Sequence, residues 1–484
     1  MRRGAQFIVL CNTRNAAVPA VEVWSATAGT AAFLPKGLNC THAPVIDSVA
    51  RHLVAICTVM PPVAFRFAVA VALSLSVVTA APNIILINCD DLGYGDLGCY
   101  GAKDIRTPHL DRMATEGTRF TDFSVSSALC TPSRAALMTG KYPGRVGLAT
   151  GVLRPDATNG LASSEVTLAE VLKPAGYATG CIGKWHLGFV KGMRPMDQGF
   201  DSYYGVMHNL DRWETVCFEK EGGMPVLRGD VVEKRPAVPA KMTGLYTAEA
   251  LKFIEQHRAQ PFFLYLGHAM PHMPFDASPK FKGKSARGLY GDVVEELDDS
   301  TGQILDKLRA LGLAERTLVI FTSDNGPERN TPGRAGLFSG TKHTVFEGGL
   351  RVPCLAWWPG NVPAGRVCDE FIATLDVLPT FARIAGTTPP ANLDGFDQLD
   401  VLLGRPGAKS PRTALYSLYG FKERRLESMR EGHWKLHLGT PPKLYNLRID
   451  IAESNDVAAQ HPEIVQRLLK LADKVRAASS FPTK

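Results

Sequence analysis

Residues 83–95, Asn83-Ile84-Ile85-Leu86-Ile87-Asn88-Cys89-Asp90-Asp91-Leu92-Gly93-Tyr94-Gly95, begin as a short, unbroken, β-branched apolar run and end in two adjacent carboxylates. A strand that is apolar on both faces reads as a strand buried on both faces, the habit of parallel sheets. Two neighbouring aspartates at its end repel each other, and burying them unpaired is costly. A hard cation removes both problems, because carboxylate oxygens are the ligands that calcium or magnesium takes. A solvated turn would tolerate the same two residues. Ligands of open α/β sheets bind beyond the carboxyl ends of the strands, where this pair lies.

The same layout recurs along the chain. A strand before Gly183 runs into Lys184 and His186, two residues apart and able to face the same way in extended chain. Residues 261–266 form a strand that runs into two histidines, His268 and His272. Residues 317–322 form a strand that ends in Asp324-Asn325, an acid and an amide that add oxygen donors. Helical patterns fall between the strands at 107–117, at 164–176 with a Ser cap and a Gly stop, and at 289–311 and 376–385. A further strand is expected at 354–358, and residues 200–240 read as loops near the site. Strand–helix alternation predicts an α/β fold. After about residue 405 the pattern changes to short strands at 414–419, 430–437 and 443–446 and a last helix at 461–478. A catalytic domain over 82–405 and a C-terminal subdomain over 406–484 follow from that change.

The stretch SVSSALCTPSRAALMTG, residues 124–140, adds a reactive side chain. Cys130 precedes a helical run, with Pro132 two residues on and Arg134 four residues on. Helix N-termini attract anions because their first N–H groups lack internal partners. A buried structural cysteine beside a turn proline would fit the same five residues.

Composition narrows the class. The chain has 484 residues, 45% hydrophobic and 21% charged, which suits a soluble globular protein and excludes disordered or collagen-like classes. Residues 67–78, FAVAVALSLSVV, are too few to span a bilayer, which takes about 20. With Arg66 before them and small residues after, they read as a signal peptide over 60–80 that starts at Met60. Residues 1–59 then read as a doubtful extension, and the rest of the chain as exported, with no transmembrane anchor. Residues 1–80 carry +4 of the net +7, so no basic platform for nucleic acid remains. Seven of ten cysteines lie beyond residue 80, with no CxxC pair to suggest zinc and no spacing that sets a disulfide pattern.

Six blocks in one order resemble the type I sulfatases of the alkaline phosphatase superfamily, in the branch of arylsulfatase A and N-acetylgalactosamine-6-sulfatase. They are DDLGYGD at 90–96, CTPSRAALMTG at 130–140, GKWHLG at 183–188, PHMP at 271–274, SDNG at 323–326 and KHTVFEGG at 342–349. The resemblance implies a large, mostly parallel sheet between helices with a smaller C-terminal antiparallel sheet. It implies that Cys130 is oxidised by a maturation enzyme to formylglycine, whose hydrate is the nucleophile. Asp90, Asp91, Asp324 and Asn325 match the family's calcium ligands, and residue 130 would contact the same ion. Arg134 would hold the hydrate, and Lys184 and Lys342 would bind sulfate oxygens. His186 would take the proton when the hydrate collapses, and His272 would serve the leaving group. His268 falls where the family varies and is set aside. Asn209 stands where the family has a substrate-contacting Ser, with His208 beside it. That departure puts arylsulfatase A's own substrate in doubt; sulfated saccharides from polysaccharides are expected, with small aryl sulfates accepted too. The alternatives are a phosphoester or phosphonate hydrolase of the same superfamily, or a non-catalytic sulfoglycan-binding protein with Cys130 unconverted.

Overall fold

A computed structural model describes residues 6–8, 23–25, 81–211, 215–419 and 425–478. The chain divides into two units, Met1–Thr79 and Ala80–Lys484. In the first, β1 (Gln6–Ile8) pairs antiparallel with β2 (Val23–Ser25). The expected signal peptide at 60–80 and the remainder of the 1–59 extension lie outside the described residues.

The second unit is built on a ten-stranded sheet. Its strands are β3 (Asn83–Cys89), β4 (Thr118–Phe120), β6 (Ala178–Gly183), β7 (Ser202–Gly205), β8 (Val226–Arg228), β9 (Val231–Lys234), β10 (Phe262–Gly267), β11 (Thr317–Ser323), β12 (Cys354–Trp357) and β13 (Arg366–Cys368). A small pair joins β5 (Phe123–Ser124) to β14 (Ile372–Ala373). The order across the large sheet is β13-β4-β12-β11-β3-β10-β6-β7-β8-β9. The central run β11-β3-β10-β6-β7 is parallel throughout, and antiparallel pairs appear only toward the margins.

The β3 stretch lies near the middle of the sheet, and all seven of its residues are buried. Its side chains alternate between two cores. Ile84 and Leu86 pack on one face with α2 (Cys130–Thr139), α3 (Leu168–Leu172) and α7 (Val377–Ala385). Ile85, Ile87 and Cys89 pack on the other face with α1 (Pro108–Glu116), α4 (Pro239–Gln256) and α5 (Gly288–Ala310). Each large aliphatic side chain buried this way stabilises by roughly 1.5–3 kcal/mol. Double coverage is what lets a strand be apolar at every position.

The C-terminal sheet runs β15 (Ala414–Tyr419), β16 (Arg425–Glu431), β17 (Trp434–His437) and β18 (Lys443–Asn446), all antiparallel. The helix α9 (Pro462–Ala478) closes a third core with it through Ile464, Val465 and Leu468. That core includes Ala136 of α2, and Tyr142 stacks on Tyr416 with ring centroids 3.5 Å apart.

Three expectations need correction. Residues 200–240 hold three strands, β7, β8 and β9, which extend the large sheet to its edge. Short strands broken by Gly and Pro carry too little periodicity to be read in advance. The expected strand at 430–437 is two strands, because Gly432 turns the chain at φ +56°. The helix expected over 164–176 is one turn and a half, capped by Thr167 rather than Ser164. Thr167 and Glu170 form a reciprocal capping box, and Pro174 sits in the short 3₁₀ turn that follows.

Among the described residues, no helix is long and apolar enough to cross a membrane. All seven described cysteines are free thiols.

Candidate active site

Strand register assembles the site. Parallel pairing sets Ser323 of β11 opposite Cys89 of β3, Gly267 of β10 opposite Asn88, and Gly183 of β6 opposite Gly267. The residues that follow, Asp324, Asp90 and Lys184, therefore leave the sheet along one rim. Asp90 N donates to Met270 O, Asp324 N to Cys89 O and Lys184 N to Gly267 O, which anchors each departure. Asp91 then takes a left-handed turn, φ +65°. Asp90, Asp91, Asp324 and Asn325 are all at most 2% exposed.

The α2 helix brings the cysteine to this rim. It begins at Cys130 itself, after an extended Leu129 that provides no side-chain cap. All ten of its residues are buried, so its N-terminal dipole is not screened by water. Cys130 Sγ lies 3.2 Å from Asp90 Oδ1. Burial, and then Asp90, push the thiol well above its ordinary range, so the unmodified side chain is a neutral SH.

Arg134 sits one turn further on the same helix face. Its Nε donates to Asp324 Oδ2 at 2.8 Å, and its Nη1 donates to Lys184 O and to Tyr265 Oη. Nη2 stands 3.8 Å from Asp90 Oδ1 without a hydrogen-bond partner. Lys184 Nζ is shared between Asp90 Oδ2 and Asn209 Oδ1. Lys342 Nζ donates to Asp91 Oδ2 at 2.8 Å and lies 3.4 Å from Glu328 Oε2. His272 Nε2 is 3.7 Å from Asp91 Oδ2, while its Nδ1 donates to Met273 O.

The site is an electrostatic balance of buried charges. Asp90, Asp91 and Asp324 face Arg134, Lys184 and Lys342, and all six are at most 4% exposed. Burial pushes the Asp90 carboxyl up, but Lys184, His272, Arg134 and Lys342 together hold it well below the usual carboxylate range. Asp324 goes the other way, to about 7, through burial and then its neighbour Asp90. Burial opposes the charge on Lys184, yet Asp90 keeps its ammonium above the ordinary value. Burial and then Lys342 lower His272.

This donor set fits a hard divalent cation. Oxygens of Asp90, Asp91 and Asp324 and the sulfur of Cys130 all lie within 4.8 Å of one another. Asn325 donates from Nδ2 to Asp91 Oδ1, and its own Oδ1 is buried with no hydrogen-bond partner. A buried amide oxygen without a protein donor beside three carboxylates offers the oxygen chemistry that a hard cation takes.

Other expected residues are placed as follows. His186 is buried beside Lys184, but the two are not side by side along an extended strand. His186 has φ +63°, and its Nε2 donates to Leu153 O at 2.9 Å. Burial and then Lys184 hold it well below its ordinary range. His208 is 3% exposed, tilted against Phe189 with centroids 3.5 Å apart, and burial pushes it down to about 3. His268 is not brought to the site. Its Nε2 lies 3.5 Å from Ser300 Oγ of α5.

Three supporting residues were not foreseen. Tyr265 links Arg134 to Asn88, Glu328 stands between Lys342 and His343, and Thr131 Oγ1 donates to His186 O while accepting from Leu153 N. Tyr265 was legible in principle as the polar member of an otherwise apolar strand. Nothing local marks the other two.

With this geometry in hand, the relatives agree. The sulfatase family model matches residues 82–387, and the C-terminal model of N-sulphoglucosamine sulphohydrolase matches 333–477. The chain is 41% identical to arylsulfatase A of Homo sapiens, over 81% of this chain and 87% of that protein. It is 40% identical to N-acetylgalactosamine-6-sulfatase of Mus musculus, over 74% of this chain and 72% of that protein. The solved structure of Ps i-CgsB in complex with k-i-k-neocarrahexaose superposes with a TM-score of 0.73 at 31% identity, covering 81% and 92% of the two chains. The large mixed sheet between helices, with its small antiparallel C-terminal sheet, is the alkaline phosphatase-like fold of these neighbours. The chain belongs to the sulfatase family and is a sulfuric ester hydrolase.

Proposed function

We propose that this sulfatase removes sulfate from sulfated saccharides, with Cys130 matured to formylglycine and calcium held by Asp90, Asp91, Asp324 and Asn325. The observation that carries this reading is the 3.2 Å approach of Cys130 Sγ to Asp90 Oδ1 at an uncapped helix start. The hydrated aldehyde would supply the nucleophilic oxygen, and the cation would polarise a sulfate oxygen.

The chain's own residues account for the rest. Three buried carboxylates and three buried cations cancel, so a bound divalent ion leaves a surplus of positive charge. That surplus favours an anionic sulfate ester over neutral ligands. Lys184 and Lys342 bind sulfate oxygens as point charges, and Asn209 orients Lys184 by accepting from its Nζ. Arg134 steadies residue 130 and Asp324 from one helix turn away. His272, with Nδ1 committed to Met273 O, offers Nε2 for proton delivery to the leaving oxygen. A histidine held below its ordinary range is a stronger acid once protonated. His186, with its Nε2 proton on Leu153 O, has Nδ1 as its basic atom for accepting a proton near residue 130. His208 and Asn209 shape the pocket wall toward the substrate. Saccharide specificity is supported by the 31% identical structure that holds k-i-k-neocarrahexaose. Export through the 60–80 leader and maturation by a formylglycine-generating enzyme complete the reading.

Mass spectrometry of the peptide that contains Cys130, from natively expressed protein, tests it. Replacement of SH₂ by O is the expected mass change, and an unmodified thiol in active protein overturns the formylglycine reading. Parallel assays with nitrophenyl sulfate and nitrophenyl phosphate test the ester class, with sulfate preferred.

A further inference from the structure

A second feature lies beside the catalytic rim. Tyr94, Lys103, Asp104, Arg287, Arg334 and Phe338 line an open groove of about 620 Å³. It is tied to the active site through the chain. Tyr94 follows Asp91 by three residues, so their Cα atoms are at most about 11 Å apart. Phe338 precedes Lys342 by four residues, at most about 15 Å. Gly95 N donates to Arg334 O at 2.8 Å, which holds the two segments together.

The groove combines aromatic and cationic walls. Tyr94 and Phe338 meet edge to face, with centroids 4.8 Å apart, and both are half-buried. Arg287 is 9% exposed, and its Nε has no hydrogen-bond partner. The one carboxylate of the lining, Asp104, is already countered by both Arg287 and Arg334. Lys103 is exposed, and the Arg334 side chain is 61% exposed. Aspartates explain part of Arg287, since Nη1 serves the buried Asp96 and Nη2 serves the partly exposed Asp104. They leave Nε without a hydrogen-bond partner, in a residue that lines the groove together with two further cations and two aromatic rings. Sulfated sugars carry both complements: C–H faces that pack on aromatic rings, and anionic groups that take guanidinium and ammonium donors.

We infer that this groove is a subsite for an anionic saccharide unit of the chain other than the one whose sulfate is removed. The inference rests on the sulfatase reading and adds that the substrate is an oligosaccharide carrying more than one sulfate. Remote binding of this kind improves discrimination between long and short substrates without touching the reacting atoms.

The test uses the full, matured enzyme and the double variant Lys103→Ala/Arg334→Ala, whose replaced side chains are exposed. Tetrasaccharides from carrageenan, chondroitin sulfate and heparin, and the corresponding sulfated monosaccharides, compete with nitrophenyl sulfate. The wild type is expected to bind at least one tetrasaccharide more tightly than its monosaccharide. The double variant should weaken that tetrasaccharide roughly tenfold, as loss of two partly exposed charge contacts implies. Its kcat/KM for nitrophenyl sulfate should be unchanged. Two results overturn the subsite: no tetrasaccharide exceeds its monosaccharide, or the variant binds the preferred tetrasaccharide as the wild type does. Failure of the matured wild type to turn over nitrophenyl sulfate is a separate outcome, which removes the sulfatase reading and the subsite with it.

Discussion

Cys130 and Lys342 show how much a single side chain is asked to do at this site. Cys130→Ala removes the side chain that lies 3.2 Å from Asp90 at the start of α2, so turnover of nitrophenyl sulfate should fall at least about 10³-fold. Circular dichroism should remain native, since Ala fits a helix start that makes no side-chain cap. Lys342→Ala leaves Asp91 without its 2.8 Å partner, and activity should drop on the order of 10²-fold. Retained wild-type kcat in either variant would count against the assigned roles. His268 gives a residue-scale prediction about stability. Burial pushes it down to about 3, against about 6.5 in the unfolded chain. The folded state therefore binds fewer protons in that window. Its contribution is fully present above pH ~6.5 and is lost as pH falls toward 3, by up to ~1.4 kcal/mol per pH unit. His268→Gln should flatten the decline of Tm measured between pH 6.5 and 5.

At the scale of elements, the ends of β3, β6, β10 and β11 matter more than their middles. The apolar runs guarantee that the strands are buried, but register decides which polar residues meet. Gly183, at the end of β6, has φ +105°, and an added Cβ would fall 1.9 Å from Gly267 O. Gly183→Ala must push β6 away from β10 just before Lys184. We expect a loss of more than ~2 kcal/mol in urea unfolding and a fall in activity that exceeds the loss of folded protein. A change in stability with kcat unaltered would show that Lys184 is positioned independently of this register. The strand–helix alternation was legible in the sequence, as were the helices at 108–116, 288–310, 377–385 and 462–478 within a residue or two, because burial imposes a regular apolar pattern; the long helix α4 was not read. The edge strands β7 to β9 were not, since short, partly exposed strands impose none.

At the scale of the whole molecule, the C-terminal sheet reaches back to the loop that leads to the candidate site. Lys435 of β17 lies 2.8 Å from Glu347 and 3.0 Å from Glu453, and all three are at most 4% exposed. Glu347 follows Lys342 by five residues, so the sheet clamps the loop that carries Lys342. Lys435→Met leaves two buried carboxylates without their shared cation. With Arg351 still on Glu347 and His437 still on Glu453, it should destabilise by roughly 1–3 kcal/mol, read from denaturant unfolding. Metal removal acts on the same scale. Dialysis against EGTA should lower both Tm and activity, and added calcium should restore both. At a hundredfold excess over Kd, the stabilisation is about 2.7 kcal/mol. A Tm indifferent to EGTA would argue against the cation at Asp90, Asp91 and Asp324.

Composition, strand pattern and six short blocks are enough to name the fold class, and most of the polar residues they single out meet along one rim of the sheet. They suffice because burial forces apolar runs, and because reactive groups concentrate where those runs end. Only the tertiary structure could show that His186 leaves the strand in a left-handed turn, that Asn209 holds Lys184, and that Tyr265, Glu328 and Thr131 support the site. Those facts depend on contacts between residues distant along the chain, and a local pattern carries no information about a partner it does not contain.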